Sequence, residues 1–550
     1  MFRNYIVLLA FMFLASAMAA QGSLKSLNYV ASIDQTYVAK GDTTFKVPTD
    51  WFNLDFQADL VRGVSTEKAY SELLQGKKSK TVIVAIIDSG IDIEHEDLKE
   101  IIWNNEDEIA GNGLDDDKNG YIDDVHGWNF IGNPNGEVVS HDNLELTRLY
   151  VKFNKIYEGK TATDFKGKQK DEYYLYQEIK ADYTKKREEA EKNAGLYSNF
   201  MTAYTKADET LKNYLKKEEY TQEEVQAIQS EDQDIAIAKQ IMDIVFANHI
   251  EMDQIQEAVT YYEDQLKYNY NPDFDPRSIV GDDYNNLKEK FYGNTNVIGS
   301  DAMHGTHVAG IIGANRNNNI GIKGIANDVK IMVIRTVPDG DERDKDVANS
   351  VYYAVDNGAQ IINMSFGKAY SPNKEIVDAA FKYAEKKGVL IIHAAGNDGE
   401  NTDLKKSYPS ATYLNSKKYC KTWIEVGASS WDKENFAADF SNYGQKTVDV
   451  FAPGVEIYST VPGNNYKNLQ GTSMAAPVVT GVAALVLSYY PNLKAADLKD
   501  IILKSVVNSG NEKVLVPGTE NDKSEFNKLC GTGGIVNAYN ALKLAETYKK

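Results

Sequence analysis

Residues 81–87 read Thr-Val-Ile-Val-Ala-Ile-Ile, a continuous run of apolar and mostly β-branched side chains. Such a run is typical of a strand that is buried on both faces of a parallel sheet. Comparable runs recur later in the chain, at 330–334, 360–364, 389–393 and 422–426. Segments 346–357 and 375–387, which lie between such runs, have apolar residues at helical spacing. This strand–helix–strand alternation predicts an α/β fold with a mainly parallel sheet.

The stretch from about 145 to 290 differs in composition, being rich in Lys, Glu, Gln and Tyr and poor in Gly. Apolar residues at helical spacing mark two amphipathic helices, within 237–245 and 255–266. Thr221 and Glu224 have the spacing of a capping box. We predict an inserted α-helical subdomain. A charged disordered linker is the alternative, which the paired apolar stripes disfavour.

The composition of the chain limits its function. It has 550 residues, of which 42% are hydrophobic, and a formal net charge of −20. This charge argues against non-specific binding of nucleic acid, which needs a basic surface. Two cysteines, Cys420 and Cys530, are too few for a disulfide scaffold or a multi-cysteine zinc module. They either pair after export or stay buried thiols, and the sequence does not decide between the two.

The N-terminus has the features of a targeting segment. Arg3 precedes an apolar run at 5–14, and Ala-Met-Ala at 17–19 fits a cleavage site. The run is shorter than the roughly 20 apolar residues of a membrane span. We therefore expect residues 1–20 to be a signal peptide and the protein to be periplasmic or secreted, without a transmembrane anchor. Residues 21–47 form an N-terminal extension whose removal the sequence does not decide.

Two candidate functional residues are an aspartate and a histidine. Asp88 directly follows the first predicted strand, and functional residues collect beyond the carboxyl ends of parallel strands. A carboxylate there can orient an imidazole, although a turn residue is the simpler interpretation. His304 begins a segment of small residues suited to a helix packed closely on a sheet. With His307 it could also ligate a metal, but no Glu or Cys nearby completes a ligand set.

A third candidate is Ser473, which opens an apolar run that reaches residue 487. Proline is tolerated in the first turn of a helix, so Pro477 predicts a helix that begins at about Ser473. The N-terminal dipole of that helix favours negative charge developing near an attacking oxygen. A helix cap is the alternative role.

In the chain order Asp88, His304, Ser473, these segments resemble the subtilase family of serine peptidases. The resemblance covers about residues 48–135 and 291–545. Four further segments match family motifs, at 363–367, 391–397, 440–444 and 450–454.

The resemblance implies a subtilisin-like three-layer α/β fold. We expect the peptidase to consist of residues 48–144 and 291–550, interrupted by the helical insertion at 145–290. A stretch that is often short in the family, before the His motif, is here long enough to hold that insertion.

The resemblance also implies the roles of the site residues. Ser473 would be the nucleophile, His304 the general base, Asp88 the group that orients it, and Asn397 an oxyanion donor. The residues expected to bind substrate are Ser365, Phe366, Gly367, Ala395 and Gly396. We expect a secreted serine endopeptidase that acts on proteins or peptides through an acyl-enzyme. The alternative is an inactive binding protein that uses the helical insertion, which the intact catalytic set disfavours. The sequence leaves the oligomeric state open.

An acidic loop at 115–124 has oxygen-bearing side chains at alternate positions and then Gly120, as in the first half of an EF-hand loop. Its twelfth position is His126 rather than the bidentate Glu. The loop also resembles a calcium loop of some subtilases, with Asp115, Asp117, Asn119, Asp124 and the Tyr121 carbonyl as ligands. A second family calcium site would use Asp97 and Asn318. An acidic solvated loop without an ion is the alternative for the first, and an ordinary Asn-rich turn for the second.

Overall fold

The computed structural model describes residues 47–432 and 435–548. The predicted signal peptide, and all but the last residue of the predicted N-terminal extension, lie outside the described residues.

The strands of the described chain supply one large sheet and two hairpins. Their bounds are β1 Val82–Asp88, β2 Gly127–Asn129, β3 Val329–Arg335, β4 Ile361–Met364, β5 Leu390–Ala394, β6 Trp423–Ser429, β7 Val450–Pro453, β8 Ile457–Val461, β9 Asn465–Leu469, β10 Val507–Asn508, β11 Lys513–Leu515, β12 Lys523–Glu525 and β13 Gly534–Ile535. The sheet has the order β10-β13-β7-β6-β5-β4-β1-β3-β2, and all neighbours are parallel except β10 and β13. The hairpins are β8–β9 and β11–β12.

Helices connect and cover these strands. The α-helices are α1 Phe56–Asp59, α2 Thr66–Ala69, α3 Glu145–Tyr157, α4 Lys168–Leu215, α5 Gln222–Gln226, α6 Gln233–Ala247, α7 Met252–Asp264, α8 Arg277–Val280, α9 Met303–Gly313, α10 Asp344–Asp356, α11 Lys374–Lys387, α12 Thr472–Tyr489, α13 Ala495–Lys504 and α14 Ala538–Thr547. Short 3₁₀ segments lie at Trp51–Asn53, Ala162–Asp164 and Phe526–Lys528, and π-helical turns at Tyr70–Leu74 and Gln265–Asn269.

The central sheet is buried on both faces, as the strand at residues 81–87 predicted. Along β1, Val82, Val84 and Ile86 contribute to one buried apolar cluster, and Ala85 and Ile87 to the other. The first cluster includes residues of α9, α12, α13 and α14, and the second includes residues of α10 and α11. This arrangement confirms the predicted three-layer α/β fold.

The described chain separates into two compact units. One is formed by residues 150–271, and the other holds the remaining described residues. The smaller unit is helical and has a buried apolar cluster of its own, which includes Phe200, Leu211, Val225 and Ile241. Both helices predicted there are present, as α6 and α7. The unit is shorter than the predicted insertion at 145–290, so that division into domains stays a prediction.

Two further points of the sequence analysis are answered by the fold. Cys420 and Cys530 are free buried thiols in different apolar clusters, so they do not form the disulfide that the sequence left open. Among the described helices, α12 is long and apolar enough to span a membrane. However, 89% of it is buried inside the protein, as in the core helix of a globular domain.

Candidate active site

The last residue of β1, Asp88, contacts the imidazole of His304. Its Oδ1 accepts hydrogen bonds from the Ser89 N–H and from His304 Nδ1, each at 2.7 Å. Because Nδ1 donates to the carboxylate, the neutral imidazole keeps Nε2 as an acceptor. Burial lowers the pKa of His304, but the charge of Asp88 and its hydrogen bond outweigh burial and raise that pKa above its usual value. The pair can therefore hold an imidazolium in place.

A glycine allows this contact. His304 is the second residue of α9, and Gly305 follows it. A Cβ on Gly305 would lie 2.2 Å from the carbonyl oxygen of Gly90 and 3.3 Å from Cβ of Asp88. The helix can approach the end of β1 only because residue 305 has no side chain.

Ser473 lies at the second position of α12 and exchanges two hydrogen bonds with Ser365. The Ser473 hydroxyl donates to the Ser365 carbonyl at 3.1 Å, and the Ser365 hydroxyl donates to the Ser473 carbonyl at 3.0 Å. Within the described residues, His304 makes no hydrogen bond to Ser473. The structure thus places Ser473 beside the predicted substrate-binding segment, with its hydroxyl turned toward that segment.

The helix α12 begins at Thr472, one residue from the predicted start, but Pro477 is its sixth residue and lies beyond the first turn. It has no N–H to donate to the carbonyl four residues earlier, which is that of Ser473. The Ser365 hydroxyl supplies the missing donor. Proline is tolerated beyond the first turn here because a side chain from another segment satisfies the freed carbonyl.

The amide of Asn397 is oriented by Thr472, a residue to which the sequence analysis gave no role. Asn397 Oδ1 accepts from the N–H of Thr472 at 2.8 Å and from its hydroxyl at 2.9 Å. Within the described residues, the Nδ2 of Asn397 donates no hydrogen bond and remains available as a donor. A Cβ on Gly471 would lie 3.3 Å from that Nδ2 and 3.5 Å from the Ser473 nitrogen. Two nitrogen donors thus lie on the same side of Gly471.

The second predicted substrate-binding segment, Ala395 and Gly396, is held by Asn442. The Asn442 side chain donates to the Ala395 carbonyl at 2.9 Å, and its N–H donates to the Gly396 carbonyl at 2.8 Å. Gly396 has φ +102°, and a Cβ there would lie 2.4 Å from Asn442 Nδ2. Both the backbone conformation and this close approach require glycine.

The acidic loop brings three carboxylates together. Oxygen atoms of Glu108, Asp115 and Asp117 lie within 4.8 Å of one another. Oxygen donors of this kind suit a hard cation such as Ca²⁺. Glu108 was missed by the sequence analysis, although it closes the acidic run 106–108 shortly before the loop.

Two other predicted ligands of this loop, Asn119 and Asp124, are occupied in hydrogen bonds. Asn119 donates through Nδ2 to Asp117 and Asp124, and its Oδ1 accepts from the Tyr121 N–H. Asp124 is fully buried and also accepts from the Tyr353 hydroxyl at 2.5 Å. These side chains brace the loop from within.

The structure also brings the residues of the second predicted calcium site into contact. Asn318 Nδ2 donates to Asp97 Oδ1 at 2.7 Å. Asp97 is 1% exposed and accepts further hydrogen bonds from the Asn315 and Ile322 N–H groups. The amide of Asn318 therefore faces the carboxylate with its nitrogen, and the second calcium site stays a prediction.

Comparisons with known proteins identify relatives of this chain. The sequence profile of the Subtilase family matches residues 79–533. The chain is 38% identical over 240 residues to the Thermophilic serine proteinase of Bacillus sp. (strain AK1), a match that covers 44% of this chain and 52% of that protein. It is 36% identical over 212 residues to Subtilisin DY of Bacillus licheniformis, covering 38% of this chain and 72% of that protein. The chain thus spans about half the length of the first of these relatives.

A solved structure described as Proteases from Pseudoalteromonas arctica PAMC 21717 also matches, with 28% identity and a TM-score of 0.36. It covers 44% of this chain and 70% of that one.

A mainly parallel sheet with helices on both faces is the fold of the subtilisin class of α/β proteins. Because the family profile covers most of the sequence, the chain belongs to the subtilase family.

Proposed function

We propose that the protein is an exported serine endopeptidase that hydrolyses peptide bonds through an acyl-enzyme on Ser473. The observation that carries this proposal is the 2.7 Å contact between Asp88 and His304, which leaves His304 Nε2 as the available base. Export is supported by the predicted signal peptide at 1–20.

The first step is activation of the serine. The Ser473 hydroxyl leaves the Ser365 carbonyl by rotating about its side chain and donates instead to His304 Nε2. The imidazole takes the proton as the oxygen attacks the substrate carbonyl carbon. Asp88 stabilises the imidazolium that results, which agrees with the raised pKa of His304.

The second step is stabilisation of the oxyanion. The tetrahedral oxygen would lie between Asn397 Nδ2 and the Ser473 N–H, the two donors that lie on the same side of Gly471. Thr472 holds the Asn397 amide in the donating orientation before the substrate arrives, so little reorganisation is needed. His304 then returns its proton to the leaving amine, and water attacks the ester with His304 again as the base.

A calcium ion would have a structural role. Glu108, Asp115 and Asp117 would hold it, and its charge would offset the mutual repulsion of the three carboxylates. No step of the reaction depends on the ion.

Hydrolysis of an internally quenched peptide by the purified protein tests the proposal. We expect cleavage within the peptide. The Ser473→Ala variant should have no activity. The control variant Ser71→Ala, which changes an exposed serine far from Ser473 in sequence, should keep its activity. A folded wild-type protein that leaves a broad set of peptides intact would contradict the proposal.

A further inference from the structure

His393 is a buried histidine to which the proposed reaction gives no role. It lies in β5 and is 1% exposed. Its Nδ1 lies 2.9 Å from Glu425 Oε1, and its Nε2 lies 2.8 Å from the carbonyl oxygen of Phe366. An ionised carboxylate and a backbone carbonyl can only accept hydrogen bonds. A neutral imidazole has one N–H, so it cannot donate in both contacts. Both contacts are hydrogen bonds only if the His393–Glu425 pair carries one more proton than a neutral imidazole and an ionised carboxylate, as in an imidazolium beside a carboxylate.

The surroundings of the imidazole fix its position. Glu425 also accepts from Trp423 Nε1 at 2.7 Å, which fixes its carboxylate. The Trp423 ring packs 5.0 Å from the imidazole, centroid to centroid. The Glu425 N–H donates to Asp449 Oδ2 at 2.9 Å, and Lys499 lies 3.5 Å from Asp449. Glu425 is therefore held through both its side chain and its backbone.

The carbonyl that His393 contacts belongs to one of the two predicted substrate-binding segments. This segment, 365–367, is fixed at its start by the reciprocal bonds of Ser365 with Ser473. Beyond its end, Lys368 exchanges two backbone hydrogen bonds with Tyr408. Between these anchors the Phe366 carbonyl is held by His393.

The other segment, Ala395 and Gly396, continues from the same strand that carries His393. The imidazole therefore joins the two segments between which a substrate would bind.

We propose that His393 is a positioning residue for substrate binding, which acts through its contact with the Phe366 carbonyl. The inference rests on the proposed peptidase function. The hydrogen bond from Nε2 holds the segment 365–367 for pairing with the substrate backbone. A side chain at position 393 that cannot donate leaves the Phe366 carbonyl without this bond. The segment is then free to shift, and peptide affinity falls.

The test measures peptide binding apart from hydrolysis. In the Ser473→Ala protein, the Kd of a fluorescent peptide is determined with and without His393→Leu. We expect His393→Leu to weaken affinity by about tenfold, as for the loss of one charge-assisted hydrogen bond. His393→Gln, whose amide can still donate to the Phe366 carbonyl, should keep most of the affinity. His249→Gln, an exposed histidine of the helical unit, is the matched control and should follow the parent protein.

The fold of each variant is checked by circular dichroism and melting. If a folded His393→Leu protein binds peptide as the parent does, or a folded His393→Gln protein loses about tenfold in affinity, the proposal is overturned. In the Ser473 protein, His393→Leu should raise KM with kcat within about twofold. Absence of hydrolysis by the Ser473 protein would instead contradict the proposed function, because the binding comparison does not depend on turnover.

Discussion

Asp88 and His304 are 216 residues apart in the sequence, and Oδ1 of one lies 2.7 Å from Nδ1 of the other. The contact exists because β1 ends at Asp88, α9 begins one residue before His304, and Gly305 lets the helix reach the strand. A helical unit of 122 residues, 150–271, lies between them in the chain without interrupting this contact.

The first prediction concerns the catalytic residues as a set. Ser473→Ala and His304→Ala should each remove nearly all turnover, because either change prevents transfer of the serine proton. The double variant should lose little more than each single one, since the residues act as one unit. The measurement is kcat/KM for a peptide substrate. Losses that add in free energy would show that one of the two residues is misassigned.

The second prediction concerns Thr472. Asn397→Ala should lower kcat by about 10²–10³-fold, the usual effect of losing an oxyanion donor. Thr472→Val should also lower kcat, by a smaller factor and with little change in KM, because the Asn397 amide loses the hydroxyl that orients it. Thr472→Ser keeps a hydroxyl and should restore most of the rate. Equal rates for the Val and Ser variants would contradict this role.

The third prediction uses two buried glutamates with opposite pKa shifts. Glu145 is 3% exposed and pairs with Arg148 at 2.7 Å and Lys368 at 3.1 Å. Burial raises its pKa, but the two cations outweigh burial and lower it to about 2. The ionised form of Glu145 therefore stabilises the fold at pH values above the ordinary pKa of a glutamate. That stabilisation, roughly 3 kcal/mol, is lost as the pH falls from about 4.5 toward 2.

Glu342 behaves in the opposite way. It is 2% exposed, and its Oε1 has no hydrogen-bond partner within the described residues. Burial raises the pKa of Glu342 to about 8. The charge of Lys368 opposes this shift, and the charges of Asp341 and Asp344 add to it. Folding therefore favours the protonated acid, and the free energy of unfolding decreases as the pH rises from about 4.5 through 8.

Urea unfolding of two matched variants checks both signs. Glu145→Gln should destabilise the protein at pH 7 and have much less effect near pH 2. Glu342→Gln should leave stability nearly unchanged at pH 4 and increase it at pH 9. If both substitutions change stability in the same direction at pH 9, the account of this buried charge cluster is wrong.

The fourth prediction concerns calcium. An ion that binds only the folded loop stabilises the protein by about 2.7 kcal/mol at a hundredfold excess over Kd. EDTA should therefore lower the melting temperature, and Asp117→Asn should reduce the difference between the calcium and EDTA curves. Glu209→Gln changes an exposed acid on α4 and is the control. Identical melting curves with calcium and with EDTA would remove the proposed ion.

The fifth prediction concerns the helical unit. Replacing residues 150–271 with a flexible Gly/Ser linker should leave a folded protein that still hydrolyses short peptides. The reason is that the two buried clusters on the faces of the sheet contain no residue of that segment. Failure of the shortened chain to fold, judged by circular dichroism, would show that the segment belongs to the peptidase core.

The sequence predicted those parts of the fold that depend on local periodicity. The apolar run at 81–87 specified β1, and the helical spacing at 375–387 specified α11. The 48-residue helix α4 was not predicted, because its buried stripe is diluted by charged residues. Tyr176, Tyr183, Tyr197 and Tyr204 are spaced by seven or fourteen residues, and this was the available signal for α4.

Several contacts between distant segments near the site were beyond the sequence analysis. The residue types near the site were visible, but no local pattern indicates that Thr472 orients Asn397 or that Ser365 satisfies the Ser473 carbonyl freed by Pro477. The same holds for Glu108 in the acidic loop. Each depends on which groups the folded chain brings within hydrogen-bonding distance, and that depends on the packing of the whole sheet.

The central claim is that Ser473 is the nucleophile, activated by His304. A fluorophosphonate reacts covalently with a serine that a neighbouring base activates. The labelled protein is digested, and the modified residue is located by mass spectrometry. We predict one label on Ser473, absent from Ser473→Ala and strongly reduced in His304→Ala. A folded wild-type protein that is unlabelled, or that is labelled equally in the Ser473→Ala variant, would contradict the account.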